Sequence, residues 1–171
     1  MPRLKVLVGG NAVNLHAYLR TTFDVGLLVR ESESERWLSF FEQRGYTVFH
    51  RTRNFTRLRF ADDPTAALPV DLMLADTQTF SRILGESRRC EIGKGLSLLI
   101  PSPLHLIAMK LHALRSPQRF ETGVDLQDVK HLIKVAKIDT SGSEFAEIVK
   151  RYAADTIRAR ILDELSEKSD S

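Results

Sequence analysis

The run Phe23-Asp24-Val25-Gly26-Leu27-Leu28-Val29 is the most informative stretch of this sequence, because it is strongly apolar and yet contains an acid. A short apolar run of this length is typical of a buried β-strand. An ionised carboxylate inside such a strand is unfavourable unless it is paired, hydrogen-bonded or bound to a metal. We therefore expect Asp24 either to have a specific partner or to lie at a strand end and face water.

The same pattern recurs in Val70-Asp71-Leu72-Met73-Leu74, a second apolar run that contains an acid. If the two strands are neighbours, Asp24 and Asp71 could hold a divalent cation between them. Carboxylate oxygens suit Mg²⁺, which usually keeps several waters and binds nucleotide phosphates. The alternative is that each carboxylate lies at a strand end and faces solvent.

A glycine pair follows the first strand. The apolar segment from Leu4 to Val8 ends in Gly9-Gly10, and a helical pattern follows from Asn11 to Leu19. Such a corner allows backbone N–H groups to approach a phosphate. An ordinary strand-to-helix turn would need the same glycines, so only the position of Gly9-Gly10 just before the first strand acid favours a phosphate site.

The rest of the pattern predicts an α+β fold, with a mixed sheet flanked by helices and a helical C-terminal part. We expect an α/β core over residues 1–100 and a helical subdomain packed on it over residues 101–171. Two further strands are predicted at 46–49 and 57–60, and a hairpin over 88–100 that turns near Gly93-Lys94-Gly95. Helices are predicted at 31–44, 77–84, 103–114, 124–135 and 143–165, with a frayed polar tail after them.

Composition limits the classes of protein that this chain can belong to. It has 171 residues, of which 43% are hydrophobic and 27% charged, as in ordinary globular domains. The single cysteine, Cys90, excludes an internal disulfide and favours a reducing compartment. Apolar runs are too short for a membrane span or a signal peptide. We therefore expect a cytoplasmic protein with no membrane partner, and a net charge of +3 that permits anionic partners.

Basic and aromatic residues alternate in the second predicted strand pair. Arg57 and Arg59 alternate with Leu58 and Phe60, which gives the strand one basic face. Such a face suits a nucleotide or RNA, through its phosphates and stacked bases. The alternative is an exposed edge strand that its charges protect from unwanted pairing.

A family resemblance rests on several of these motifs. The stretches Val8-Gly9-Gly10-Asn11-Ala12-Val13 and Arg20-Thr21-Thr22-Phe23-Asp24-Val25-Gly26-Leu27-Leu28-Val29 resemble the first motif of nucleotidyltransferase-fold proteins. The likeness is greatest to the AbiEii/AbiGii toxin group of type IV toxin–antitoxin systems. A later strand acid and a downstream helical pattern follow in the family's order; they are Asp71, the stretch Leu106 to Ala113, Arg115 and Arg119, and Asp125-Leu126-Gln127-Asp128.

The resemblance implies a nucleotidyltransferase-like sheet and roles for particular residues. Metal ligands would be Asp24 and Asp71, phosphate contacts would come from Gly9, Gly10, Arg20 and Thr22, and further catalytic residues would be Lys110 and Asp125. Without the resemblance, Lys110 could be a surface lysine whose charged end reaches solvent. Asp125 and Asp128, three apart on one helix face, could be acids near a helix start that Thr122 caps.

One position departs from the family pattern. The second acid of the family's Asp-x-Asp motif would fall at Gly26, which has no oxygen to offer a metal. Two hypotheses follow within this fold, beside the alternative of a small α+β protein that is unrelated to nucleotides and uses its two strand acids structurally. The first is a Mg²⁺- or Mn²⁺-dependent enzyme that transfers a nucleoside monophosphate from an NTP to tRNA, another RNA or a protein, with a cognate antitoxin as a partner. The second is an inactive nucleotidyltransferase fold that binds a nucleotide, RNA or a protein.

Overall fold

The computed structural model describes residues 5–16, 18–93 and 95–166. Within them the chain divides into two compact units. The first comprises residues 5–15 and 19–102 and contains every strand of the described residues, whereas the second comprises residues 16, 18 and 103–166 and is helical. The predicted α+β class is confirmed.

A five-stranded mixed sheet forms the centre of the first unit, with the strand order β1-β2-β5-β4-β3. Strands β2 and β5 are parallel, and the other neighbouring pairs are antiparallel. Strands β6 and β7 form a separate antiparallel pair. The strands are β1 (Val6–Val8), β2 (Val25–Arg30), β3 (Tyr46–Arg51), β4 (Phe55–Phe60), β5 (Val70–Ala75), β6 (Arg88–Gly93) and β7 (Leu96–Ile100).

In the described part of this unit three helices accompany the sheet, and their apolar residues complete the core. Trp37 and Phe80 are buried against it, and Leu58 and Leu72 are completely inaccessible on neighbouring strands. Asp76 begins the third helix by accepting a hydrogen bond from the Thr79 backbone N–H at 2.9 Å. The helices are α1 (Gly9–Asn14), α2 (Ser34–Glu42), which follows a 3₁₀ turn (Glu31–Glu33), and α3 (Thr77–Gly85).

Strand β3 lies at one edge of the five-stranded sheet and is exposed along nearly its whole length. Its pairing with β4 shifts register between Val48 and His50, as at a β-bulge. Phe49 is 58% exposed, and the centroid of its ring lies 3.5 Å from the Arg59 guanidinium carbon. Arg59 thus packs on an exposed aromatic ring rather than standing alone in solvent.

The second unit contains five helices in the described residues. Helices α4 and α6 pack against each other, and α4 also packs against α7. Its core includes Leu106, Leu111, Leu132 and Phe145, all nearly inaccessible. The helices are α4 (Pro103–Ala113), α5 (Pro117–Thr122), α6 (Val124–Ala136), α7 (Ser143–Tyr152) and α8 (Asp155–Ser166).

Several element predictions for the first unit were wrong at their boundaries. Helix α1 begins at Gly9 itself and ends at Asn14, well before the predicted end at Leu19. It ends there because the Asn14 side chain turns to bond the backbone N–H and carbonyl of Arg20. Asp24 lies just before β2 rather than inside it, since the ladder to β5 begins at Val25. Leu4, Ala17 and Lys94 lie outside the described residues.

The C-terminal half contains two further corrections. The single helix predicted over 143–165 is two helices, because Ala153 is extended between them, and nothing in the local sequence explains this break. Helix α5 was not predicted. Thr122 is its last residue and donates to the Arg119 carbonyl at 2.9 Å, so it is not the cap of α6; Gly123, with φ +68°, takes that position. Most of the predicted polar tail lies outside the described residues.

Candidate functional site

The register of the central sheet aligns one row of residues across four strands. Arg57 lies opposite Asp71, Asp71 lies opposite Gly26, and Gly26 lies opposite Val8. Directly opposed residues in a sheet share one face. Asp24 precedes Gly26 by two positions, and alternation along the chain turns it toward the same face. The sequence-predicted acids therefore meet at this row.

The two carboxylates share a single guanidinium. Arg57 Nε donates to Asp71 Oδ1 at 2.7 Å and Arg57 Nη2 donates to Asp71 Oδ2 at 2.6 Å, a bidentate pair. The same Nη2 donates to Asp24 Oδ2 at 3.3 Å. Since both carboxylates contact one nitrogen, Asp24 and Asp71 are close neighbours. With two negative charges and one positive charge, the trio carries a formal charge of −1.

Burial differs among the three side chains. The Asp71 side chain is 7% exposed, whereas those of Arg57 and Asp24 are 33% and 36% exposed. The hydrogen bonds that Arg57 donates to Asp71 raise the pKa of Arg57; burial opposes this, and the nearby negative charges of Asp71 and Asp24 add to it. Arg57 is therefore firmly cationic, and the site has one closed side at Asp71 and one open side at Asp24.

Asp24 is anchored by neighbouring polar groups. The Asn11 Nδ2 donates to its backbone carbonyl at 2.7 Å, and the Thr22 hydroxyl donates to its Oδ1 at 3.3 Å. The bond from Asn11 explains why Asp24 stays outside the β2 ladder, because that carbonyl is already satisfied by a side chain. Helix α1 thereby fixes the acid that precedes the strand.

The glycine corner forms the next part of this region. A Cβ atom at Gly10 would lie 2.7 Å from an Arg20 guanidinium nitrogen and 2.8 Å from the Thr22 hydroxyl. Gly10 therefore admits these two side chains against the backbone. Gly9 has φ +70°, a left-handed conformation that favours glycine, and a Cβ atom at Gly9 would lie 4.0 Å from the Cα atom of Gly26.

A second charged cluster lies within the helical unit. Lys110 Nζ is 2.7 Å from Asp125 Oδ1 and 2.7 Å from Asp128 Oδ2. Arg119 Nε donates to the other oxygen of Asp125 at 2.7 Å. Lys110, Asp125 and Asp128 are all buried, so Lys110 is not a surface lysine. Its predicted role at the nucleotide, and that of Asp125, stay predictions.

Burial and charge act in opposite directions on Asp125. Burial raises its pKa, but the charge of Lys110 and the hydrogen bonds from Arg119 and Lys110 outweigh this effect. The net result is a pKa below the ordinary value for an aspartate. This cluster holds the Asp125 carboxylate ionised in a nearly solvent-free place.

The alternating arginines of β4 predict a nucleotide-binding strand face that includes Arg57. The sequence gives no sign that Arg57 bonds the two acids. Arg59, assigned to the same face, packs on the ring of Phe49, and its role at a nucleotide stays a prediction. Asn11 and Asn14, which hold the chain around Asp24 and Arg20, were also missed. Their only signal in the sequence is that asparagine side chains tend to bond nearby backbone groups and so compete with a helix.

The architecture matches solved structures at low sequence identity. ANT(2'')-Ia in complex with adenylyl-2''-tobramycin has a TM-score of 0.60 and 13% identity, over 94% of this chain and 88% of that one. The lincomycin-bound lincosamide antibiotic adenylyltransferase LnuA has a TM-score of 0.55 and 14% identity, over 77% and 87%. This chain has a nucleotidyltransferase-like fold. The Megavirus polyadenylate synthase also matches, with a TM-score of 0.51 and 15% identity, over 79% of this chain and 29% of that one.

The nucleotidyltransferase-like fold agrees with the fold predicted from the sequence. Its mixed sheet flanked by helices confirms the predicted fold class. No protein-family model matches the sequence, and no curated protein matches it. The finer likeness to the AbiEii/AbiGii group therefore stays a prediction. None of the helices in the described part of the chain has the length and apolar character that crossing a bilayer requires.

The residues present do not fit the divalent metal site that this fold implies. Phosphoryl-transfer sites of this kind need enough carboxylate oxygen to hold and neutralise metal ions. Here the residue opposite Asp71 is Gly26, and both remaining carboxylates already contact Arg57. Within residues 5–16, 18–93 and 95–166, no three His, Cys, Asp or Glu side chains are grouped to hold a metal ion.

Proposed function

We propose that this chain is a nucleotide-binding protein that uses a nucleotidyltransferase-like fold without carrying out nucleotidyl transfer. One observation carries the proposal: Arg57 contacts both acids of the site, in register with Gly26, where the family pattern has the second acid of Asp-x-Asp. Arg57 already reduces the formal charge of these acids from −2 to −1. The acids are thus partly neutralised without a metal ion.

The glycine corner supports binding of a nucleotide phosphate. Gly10 brings the Arg20 guanidinium and the Thr22 hydroxyl against the backbone, and both groups can donate to phosphate oxygens. The positive charge of Arg20 offsets the formal charge of −1 on Asp24, Asp71 and Arg57. The formal charge of the region is then zero, so it does not repel a triphosphate. Strand β3 adds the exposed ring of Phe49 beside Arg59, which suits a nucleic-acid base. We also propose that the protein acts in the cytoplasm and that it binds an RNA or a protein partner there.

The second candidate function is transfer of a nucleoside monophosphate from an NTP to RNA or a protein, in a toxin–antitoxin setting. It is favoured by the fold likeness to proteins described as adenylyltransferases and as a polyadenylate synthase. In this hypothesis Asp24, Asp71, Lys110 and Asp125 would be catalytic residues, with Mg²⁺ or Mn²⁺ as the cofactor. It requires that Arg57 release the two carboxylates.

The test compares binding with transfer. Each of the four NTPs is titrated into the protein by calorimetry, once with EDTA and once with Mg²⁺, and labelled NTPs are incubated with the protein and total tRNA. We expect binding that survives EDTA and no labelled product. Arg20→Gln should weaken binding, whereas Arg82→Gln, an exposed charge on α3, should not. Metal-dependent labelling that is lost in Asp24→Ala would establish the second candidate. Absence of NTP binding at millimolar concentration would reject both.

A further inference from the structure

The contacts of Arg57 have a consequence for metal ions that is separate from nucleotide binding. A divalent cation between Asp24 and Asp71 would need the oxygens that Arg57 now contacts. The bidentate pair with Asp71 is the strongest geometry available to an arginine and a carboxylate. A cation and a guanidinium in the same place would also repel each other. The two therefore compete for one position.

Neighbouring residues favour the guanidinium in this competition. Gly26 offers no carboxylate from the position opposite Asp71, so the row supplies only one acid from the sheet itself. The other acid, Asp24, comes from outside the β2 ladder. The oxygen beside its carboxylate is the Thr22 hydroxyl, which is uncharged. Two carboxylates suffice to hold one guanidinium. A protein Mg²⁺ site with only two carboxylates depends on further anionic oxygen, often from substrate phosphates.

We propose that Arg57 is the resident cation of the Asp24–Asp71 pair and that it excludes divalent metal ions from it. The pair retains the oxygen ligands of a hard-cation site, but the protein supplies its own monovalent counter-ion. Arg57 is thus a specificity-determining residue that makes this corner of the fold independent of metal. Its removal leaves two adjacent carboxylates with a net charge of −2 and creates affinity for Mn²⁺ or Mg²⁺.

The expected effect is large enough to measure. A neighbouring unit charge changes the proton affinity of a carboxylate by about 1–3 pKa units, or roughly ten- to a thousandfold. A doubly charged ion responds to the same change in charge at least as strongly. We therefore expect Arg57→Gln to bind Mn²⁺ at least about tenfold more tightly than the unmodified protein.

The experiment is a Mn²⁺ titration followed by electron paramagnetic resonance, with no nucleotide present, so that its outcome is independent of NTP binding. Arg57→Gln should gain one saturable site, and Arg57→Lys should bind Mn²⁺ much less tightly than Arg57→Gln because it keeps the charge. Arg53→Gln removes one exposed charge from the β3–β4 turn and should behave like the unmodified protein. In Arg57→Gln/Asp24→Asn the new site should disappear.

A second measurement uses the unmodified protein, in case Arg57→Gln does not fold. In ¹⁵N-labelled protein, the Arg57 Nε–H signal should not move when Mg²⁺ is added at concentrations that saturate ordinary protein sites. The proposal is overturned if Mg²⁺ shifts this signal in a saturable way. It is equally overturned if the unmodified protein binds Mn²⁺ as tightly as Arg57→Gln, or if the gained site persists after Asp24→Asn.

Discussion

Each of the two units contains a pair of aspartates that share one basic side chain, but the surroundings differ. In the sheet unit, Asp24 and Asp71 share Arg57, whose side chain is 33% exposed. In the helical unit, Asp125 and Asp128 share Lys110, whose side chain is 7% exposed. The groups are similar, yet the first cluster is open to solvent on its Asp24 side and the second is enclosed.

Exposure decides what each cluster can do. Removing one partner from a buried ion pair leaves a charge with no solvent to stabilise it, so the buried cluster cannot exchange its cation without a large loss of stability. An ion pair that reaches solvent contributes little to stability and can be rearranged at small cost. We therefore regard the Lys110 cluster as part of the framework of its unit, and the Arg57 cluster as the place where ligands can compete.

The largest expected effect concerns the buried cluster. Lys110→Met should lower the free energy of unfolding by about 3–5 kcal/mol, because two buried carboxylates lose a shared cation. Urea unfolding followed by circular dichroism measures this. Lys134→Met, on the exposed face of α6, is the matched control and should change stability by about 0.5 kcal/mol or less. A loss below about 1 kcal/mol for Lys110→Met would show that the two clusters do not differ as described.

The next effect concerns Gly26 in the open cluster. A Cβ atom there would lie 3.0 Å from the Val8 carbonyl oxygen, on a backbone that cannot move aside freely. Gly26→Ala should therefore destabilise the protein by about 1–3 kcal/mol, and Gly26→Asp should do at least as much damage. Thermal unfolding provides the measurement. Gly85→Ala is the control, since nothing lies within 4 Å of its Cβ position, and it should be neutral or stabilising.

A pH effect separates the enclosed carboxylate of Asp125 from exposed carboxylates. Because the pKa of Asp125 is lower in the folded protein than its ordinary value, its stabilisation is fully present above that ordinary value, about 3.9. The stabilisation is lost as the pH falls through the lower folded-state value. Urea unfolding between about pH 5 and pH 3 should show this loss. In Asp125→Asn the free energy of unfolding should depend less steeply on pH. Asp163→Asn, exposed on α8, should keep the original slope.

The smallest expected effect is the stability change in Arg57→Gln. Arg57 and Asp24 are partly exposed, and a glutamine at this position can still donate a hydrogen bond to the buried Asp71, so we expect a loss of about 1 kcal/mol or less in urea unfolding, even though the Mn²⁺ affinity should change strongly. Asp24→Asn, on the open side, should fall in the same range. Destabilisation of Arg57→Gln as large as that of Lys110→Met would remove the distinction between an exchangeable and a fixed cation.

The fold could be predicted from the sequence where the pattern is local. Apolar runs indicate β2 and β5, and Gly45, with φ +84°, lies shortly after the end of α2. The break at Ala153 could not be predicted, because the spacing of the buried residues Phe145, Val149 and Ile157 also suits one continuous helix. Periodicity describes a face, and it does not say whether the chain turns between two parts of that face.

The candidate site was predictable only in part, for a different reason. Two acids in apolar runs indicate that each needs a partner, and the structure does bring Asp24 and Asp71 together. Which partner they find depends on the alignment of β4 with β5, which sets Arg57 opposite Asp71. That alignment is fixed by the whole connection between the strands and by packing on the other face, where Leu58 and Leu72 are buried. A shift of one residue would have turned Arg57 away from the acids.

The exposed strand β3 has a consequence for how this protein behaves in concentrated solution. An open sheet edge offers its backbone groups to any other chain. Two features oppose this at β3: the irregular register at Val48 and His50, and the arginines of β3, β4 and the turn between them. The second feature depends on charge, and dissolved salt screens exposed charges over distances of about 10 Å at 0.1 M. Colloidal stability should therefore decline as ionic strength rises, and low-salt buffers should suit storage of this protein.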